Sequence, residues 1–460
     1  MNGFLFDSHT HLDIAPLSEN PFLVVDRARK AGVGGMVTIG IDPESSRRNL
    51  SFAEAFDEVY SAAGIHPHNG EEYTEDALRQ IEEISSHPFV VAIGETGLDF
   101  YRDYSDRDAQ TAAFRAQLRL AKKVGKPVII HNREAHREVL KIIDEEGVPS
   151  AGGVFHCFSG SHEFAMECVE RGFLISVPGV VTYRNASILE DVVRKIPADR
   201  LLIETDAPYL TPHPHRGKPN EPSLIIHTAL KVGEIKGLSL EDIARVTTSN
   251  ALRLFSIQGE LEYRVAYVIR ESLYLNLTNR CTNRCVFCSK RKDYFVKGHY
   301  LKLSSEPSKE EVLESAEGAE TFQEVVFCGF GEPTLRLKDM LFIAGKLKEK
   351  GVKKVRLNTD GLANLVHRKN VLPEMKGLID SISVSMNAPD EKTYISICPN
   401  PYGEESFRSV LSFIREAKTI IPEVTATVVA LPGLDIDRCR VLAEEELKVC
   451  FRVRGYNDVG

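Results

Sequence analysis

Two sets of side chains in this sequence have the types and spacing of metal chemistry. The first is spread over the N-terminal half: His9, His11, Glu95, His131, His156 and Asp206 each fall at or just after the end of a short apolar run. Four imidazoles and two carboxylates, brought together, suit a pair of divalent ions such as zinc, manganese, magnesium or cobalt. Any one of these histidines alone reads more simply as a satisfied polar group in a core; six residues at equivalent places do not. His9 and His11 are i and i+2, so on a strand both imidazoles leave the same face. The second set is local. CTNRCVFC puts Cys281, Cys285 and Cys288 into eight positions of a chain that has nine cysteines. Three thiolates in a short loop hold three irons of a 4Fe–4S cubane and leave the fourth iron without a protein ligand. The plainer alternative, zinc, needs four closed ligands with paired spacing, and no second CxxC or nearby histidine completes it.

The elements that must position these residues are legible as alternating short apolar runs and helical patterns. Eight runs occupy the first half: FLFDSH from Phe4, GGMVTIG from Gly34, VYSAAGIH from Val59, VVAIGETG from Val90, PVIIH from Pro127, GVFHCF from Gly153, FLISVPG from Phe173 and LLIETDAP from Leu201. Continuous rather than alternating apolarity indicates parallel strands covered on both faces. Eight such units in about 250 residues predict an α/β fold, a closed eight-stranded β/α barrel of the TIM type, whose active sites lie at the carboxyl ends of the strands. A Pro-rich loop, TPHPHRGKPNEPS, and helical patterns through Phe255 complete it. The second half offers six runs: ESLYLNLT, EVVFCG, VKKVRLN, SISVSM, VTATVVALPG and VCFRVRGYN. Six units are too few for an eight-stranded closure and predict a partial β/α barrel. The expected division is a barrel over 1–257, a linker over 258–267 and a second domain over 268–460. Cys328, Cys398, Cys439 and Cys450 are expected to be buried small hydrophobes. No second cysteine cluster follows the sixth run, so no auxiliary iron–sulfur domain is expected.

Composition bounds the partners. Residues 1–260 hold 27 Lys and Arg against 38 Asp and Glu, and residues 261–460 hold 30 against 28. Neither half has the basic excess of a long duplex-binding surface. A nucleic-acid substrate of the first half would therefore be single-stranded or short and approached by its end, with metal ions and a few arginines neutralising it. No apolar run is long enough to span a membrane, and Asp7, His9 and His11 interrupt the N-terminus where a signal peptide would be most apolar. A cytoplasmic protein without membrane contact is expected.

The first half resembles the TatD family of metal-dependent nucleases, within the wider amidohydrolase-like barrels. The resemblance runs through FDSHTHLD, GIHPHN, GETGLDFYRDYS, KPVIIHNREA, GVFHCFSGS, IETDAPYLTPHPHRGKPNEP and TSNALRLF, in order. It implies that His9, His11, Glu95 and Asp206 surround one metal and Glu95, His131 and His156 the other, with Glu95 bridging. Such a pair lowers the pKa of a shared water and clamps phosphoryl oxygens. Asp206 would orient that water and accept its proton. His66 would face substrate at the rim, and Arg216, in HRGK, would hold a phosphate. Glu204, two residues before Asp206, reads equally as a support of the site and as an internal strut.

The second half resembles the radical SAM superfamily. The three-cysteine loop, with Phe287 before the last cysteine, follows ESLYLNLT directly, and CGFGEPTL ends the next run. The resemblance implies that the methionyl group of S-adenosylmethionine occupies the open iron, and that the reduced cluster cleaves it to a 5′-deoxyadenosyl radical. Gly329, Gly331 and Glu332 would form the glycine-rich segment for the methionyl amine, although Gly-Phe-Gly replaces the usual double glycine. Asn358 and Asp360 in RLNTDG, and Ser385 and Asn387 in SVSMNA, would bind ribose or carboxylate oxygens, or simply form turns; Leu431–Gly433 would back the adenine.

A bifunctional enzyme is expected: a two-metal phosphodiester hydrolase acting at a DNA 3′ end or on a nucleotide-like substrate, joined to a radical SAM domain with an unknown small-molecule, nucleotide or protein substrate. The alternative is an amide or ester hydrolase, such as an aminoacyl-tRNA deacylase, with an iron–sulfur sensor or activating-enzyme domain.

Overall fold

All eight apolar runs of the N-terminal half are strands: β1 (Leu5–Thr10), β2 (Val33–Ile39), β3 (Val59–Ala63), β4 (Val90–Asp99), β5 (Val128–Arg133), β6 (Gly153–Phe155), β7 (Phe173–Val177) and β8 (Leu201–Ile203). They pair in parallel in sequence order. The circle is completed by a parallel bridge between Thr10 and Ala207, with Asp206 N donating to His9 O at 2.9 Å and His11 N to Ala207 O at 2.8 Å. The computed structural model describes residues 5–102, 104–257, 264–288, 290, 294–296 and 299–455, and divides into two compact units, Met1–Glu260 and Leu261–Gly460.

Strand side chains of the first unit alternate between two apolar clusters. Val128 and Ile130 of β5 pack outward with helix residues such as Phe114 and Val139, whereas Ile129 faces Phe6, Val37, Val154, Leu174 and Leu202. Ala251, Leu254 and Phe255, from and just beyond the last helix (Leu240–Leu254), belong to that second cluster. Removing a fully buried ring such as Phe114 costs about 3–5 kcal/mol.

The helix Arg107–Val124 shows how local sequence positions the site. Asp106 caps its first turn by accepting from Asp108 N and Ala109 N, and Gly125 ends it in the left-handed region at φ 68°. Its buried face carries two glutamines among the apolar residues. Gln117 accepts from Ile65 N at 2.7 Å and donates to Thr96 Oγ1 at 2.7 Å, so it fixes the neighbours of His66 and Glu95. Gln110 accepts from Asp99 N at 2.9 Å.

In the second unit the six expected runs are β10 (Ser272–Leu275), β13 (Glu324–Phe327), β14 (Val355–Thr359), β15 (Ser381–Ser385), β16 (Glu423–Ala430) and β17 (Cys450–Gly455), all parallel and in sequence order. A further strand, β9 (Ala266–Ile269), pairs antiparallel with β10, and β11 (Phe295–Val296) pairs antiparallel with β12 (His299–Tyr300) in a separate two-stranded sheet. Ala266 and Tyr267 thus belong to the sheet rather than to the expected linker, whose residues 258–263 lie outside the described ones. Cys398 and Cys439 are buried as expected, but Cys328 is half-buried and Cys450, which opens the edge strand of the sheet, is exposed.

Candidate functional site

Glu95, on β4, is the hub of the first site. Its Oε1 lies 2.6 Å from His156 Nε2, 2.7 Å from His131 Nδ1 and 3.3 Å from His66 Nε2. Its Oε2 lies 3.3 Å from His9 Nε2 and 4.0 Å from His11 Nε2. Asp206 Oδ1 stands 3.7 Å from His9 Nε2 and 3.6 Å from His11 Nε2. Three overlapping donor sets result, each within 4.8 Å: His9, His11 and Asp206; His9, Glu95 and His156; His66, Glu95 and His131. His9 and His156 stack with ring centroids 3.9 Å apart.

Burial opposes ionisation of Glu95, yet the imidazoles of His156, His66 and His9 hold its carboxyl well below the usual range. Burial pushes His66 down to about 4, so its ring is neutral at pH 7. Asp206 is also held low despite burial, by His11, His9 and His156. At φ 54° it sits in the left-handed region, so strand alternation does not relate it to Glu204. Glu204 accepts from Cys157 N at 2.6 Å and faces His156 Nδ1 at 3.6 Å, acting as strut and orienting group together.

Asp99 and Asp7 are the carboxylates that sequence reasoning missed. Asp99 Oδ2 pairs with His68 Nε2 at 2.8 Å and His131 Nε2 at 3.2 Å, so His131 is held between Asp99 and Glu95. The signal was the second HxH, HPH at 66–68, with the same spacing as HTH. Asp7 accepts from Thr205 N at 2.9 Å and from Thr205 Oγ1 at 2.5 Å, and burial raises it to about 8. It ties β1 to the residue before Asp206.

The second site begins just beyond β10. The cysteine loop is clamped by the segment after the helix Glu391–Ile397: Arg284 N donates to Pro399 O at 2.8 Å and Val286 N to Ile397 O at 2.9 Å. Cys285 and Phe287 pack against the unit's core, and Cys288 against Tyr267, Val296 and Phe330. Cys285 Sγ is 3.4 Å from Cys398 Sγ. The glycine-rich segment presses on the strand before the loop. A Cβ at Gly329 would stand 2.0 Å from Asn276 Oδ1, and one at Gly331 would stand 2.1 Å from Thr278 O, so only glycine fits. Glu332 is buried with four donors on its carboxylate: Thr334 N, Thr334 Oγ1, Thr359 Oγ1 and Asp360 N, at 2.6–3.0 Å.

A TatD-related DNase family model matches residues 6–256, and a radical SAM superfamily model matches residues 275–445. The chain belongs to the TatD-related DNase family. Its first unit is 46% identical over 253 residues to the metal-dependent hydrolase YabD of Bacillus subtilis, covering 99% of that protein and 55% of this chain. It is 37% identical over 258 residues to the 3′-5′ ssDNA/RNA exonuclease TatD of Citrobacter rodentium, covering 98% of that protein and 55% of this chain. The solved structure of YJJV, a TatD homologue of Escherichia coli, superimposes with a TM-score of 0.54 at 33% identity, covering 100% of that chain and 56% of this one. This TatD-family chain is therefore an enzyme with two chemistries, a metal-dependent hydrolase unit and a radical SAM domain.

Both sites of the TatD-family chain fit the groups that their families use. Both ring nitrogens of His9, with His11 Nδ1, His156 Nδ1 and Glu204 Oε2, are buried without a hydrogen-bond partner. Such an atom costs about 1–3 kcal/mol, and a divalent ion held by His9, Glu95 and Asp206 would satisfy His9 Nε2, which faces both carboxylates. In the second unit Asn276 Oδ1, Asn283 Oδ1, Asp360 Oδ2 and Asn387 Oδ1 are buried and unpartnered near the cysteine loop or at strand ends, as acceptors for amine and hydroxyl donors. Other expected contacts are differently engaged. Asn358 Oδ1 accepts from Arg356 at 2.9 Å, Ser385 is half-buried at the end of β15, and the turn at Leu431–Gly433 follows β16. Arg216 is exposed, with its guanidinium 4.1 Å over the Tyr183 ring. No helix among the described residues is long and apolar enough to cross a membrane.

Proposed function

We propose that the first unit removes nucleotides from the 3′ end of single-stranded or short nucleic acid, and that the second abstracts hydrogen from a separate, small substrate. The observation that carries the first part is the convergence of five imidazoles within 4.0 Å of one carboxylate, Glu95. His9, His11, Glu95 and Asp206 hold one divalent ion, and Glu95, His131 and His156 hold another; this donor set suits zinc, manganese or cobalt better than magnesium. Bound there, the ions supply a water of lowered pKa and a clamp on phosphoryl oxygens. Asp206, held ionised and 14% exposed in its side chain, accepts the proton of the attacking water. Neutral His66 offers a hydrogen bond to a phosphoryl oxygen, and Arg216 offers the charge of its guanidinium from the loop after β8. The exonuclease named among the relatives supports a 3′ end as substrate.

In the second unit Cys281, Cys285 and Cys288 hold the cluster, and Gly329, Gly331, Asp360 and Asn387 line the S-adenosylmethionine side. Bound there, cluster and S-adenosylmethionine supply reductive one-electron cleavage and a hydrogen-abstracting radical. Glu332 braces Thr359 and Asp360 for that purpose.

The test is a time course on a 5′-labelled single-stranded oligonucleotide, run beside an aminoacyl ester. Metal-dependent laddering from the 3′ end is expected. Ester cleavage without nucleotide release would replace the nuclease assignment with an ester hydrolase.

A further inference from the structure

The two faces of the second unit's parallel sheet are unlike. One face, with Leu275, Phe327, Leu357, Ile382, Val384 and Ala426, is packed into the apolar core with the helices. Parallel sheets of α/β proteins are ordinarily apolar on both faces. Here the other face is polar from β14 to β17, in register: Asn358 stands beside Ser383 and Ser383 beside Thr425; Ser385 beside Thr427 and Thr427 beside Arg452; Val429 beside Arg454.

The charges on this face are distributed unequally. Arg356, lower on β14, is answered by Glu324 at 2.7 Å. Arg452 and Arg454 are i and i+2 on β17, so their side chains leave the same face with Cα atoms about 7 Å apart. Among the described residues neither has an ion-pair partner, and Arg454 Nε is buried with no hydrogen-bond partner at all. Asn387, just beyond β15, donates to Cys398 Sγ at 3.5 Å, and Cys398 touches Cys285. The carboxyl ends of these parallel strands lie at the same edge of the sheet as the cysteine loop that follows β10.

We propose that this face binds the substrate of the radical SAM unit, and that the substrate is a small phosphomonoester of mononucleotide size. Two guanidinium forks match a dianionic phosphate better than a singly charged carboxylate. The Ser383 and Ser385 hydroxyls, with Asn358 Nδ2 as donor and Thr427 Oγ1 as acceptor, serve sugar hydroxyls and base edges, Asn358 Oδ1 being held by Arg356 and the Thr427 proton by Val384 O. From β14 to β17 there are three inter-strand spacings, roughly 14 Å in all, the span of a nucleotide rather than of a polymer. The choice of a nucleotide rests on the nuclease assignment of the first unit, which would release 5′-mononucleotides on the same chain; the phosphate site does not.

Equilibrium dialysis tests this on the anaerobically reconstituted full chain carrying His9→Asn and His11→Asn, which disables the first site as a competing phosphate binder. The expected result is one dTMP bound per chain, thymidine at least about tenfold weaker, and dTMP weakened about tenfold or more by Arg452→Gln with Arg454→Gln. Arg454→Lys, which keeps the charge and loses the fork, is expected to fall between. The proposal is overturned if no dTMP binds at about 1 mM, if thymidine binds as tightly as dTMP, or if the double variant binds dTMP unchanged. It is also overturned if S-adenosylmethionine binding falls in parallel, since the arginines would then serve the cofactor. Ribose 5-phosphate binding as tightly as dTMP overturns the nucleotide assignment. Binding of dTMP by a chain that releases nothing from oligonucleotide ends would sink the nuclease and leave this site standing.

Discussion

The first site takes its side chains from six places in a closed barrel; the second takes its three cysteines from one loop. Around Glu95 no two partners except His9 and His11, and His66 with its neighbour His68, are close in sequence, so the site exists only once β1 to β8 have closed. The cysteine loop takes its three ligands from local spacing and is held by packing within the second unit and by two backbone hydrogen bonds to Ile397 and Pro399. Precision comes from the barrel in one case and from local chain geometry in the other. A defect in barrel packing is therefore expected to damage hydrolysis and leave cluster assembly intact.

The contrast can be broken by substitution. The largest effect is expected from Cys285→Ala, which removes a cluster thiolate and with it all 5′-deoxyadenosine formation from S-adenosylmethionine, measured by chromatography; hydrolysis should stay within about twofold. Glu95→Gln should lower metal-dependent release from oligonucleotide ends by at least about 10³-fold, with iron content unchanged. Asp99→Asn leaves His131 in place but loosens its orientation, and hydrolysis should fall about 10- to 100-fold, rescued in part by raised metal concentration. Hydrolysis at wild-type level in that variant would show that Asp99 is only structural.

The smallest effect concerns stability. Arg119 and Arg115 hold the Glu146 carboxyl down to about 2. A depressed carboxyl stabilises the fold above its unfolded value of about 4.3, and that contribution is lost as pH falls through the folded value. Thermal melts between pH 5 and pH 2 should show a shallower decline for Glu146→Gln than for wild type, by no more than about 1 kcal/mol for a surface network. Glu146 lies in the first unit, so melting followed through the cluster should not change slope on Glu146→Gln; beside the cysteine loop the corresponding carboxyl is Glu306, held low by Arg280 and Thr278.

What the sequence disclosed follows the same contrast. All fourteen expected strands formed, because each is a short apolar run bounded by turn residues. The histidines could be placed on one end of the barrel because each follows such a run. Asp99 and Asp7 were not found: their role is set by what reaches them from other strands, His131 and Thr205, and no spacing encodes that. Ala266 and Tyr267 of β9 were expected in the linker because AYVI is separated from β10 only by Arg270 and Glu271, with Arg270 turning the chain at φ 55°. Glu332 could be located by its glycines, but not its four donors, which come from the turn after it and from the end of β14.

The central claim is that one chain carries two independent metal chemistries. Elemental analysis of the anaerobically reconstituted protein and of its Glu95→Gln and Cys285→Ala variants tests it most directly. About four irons and two other divalent ions per chain are expected, with Glu95→Gln losing only the divalent ions and Cys285→Ala only the iron. Iron absent from wild type, zinc in its place, or either variant losing both kinds of metal would contradict the account.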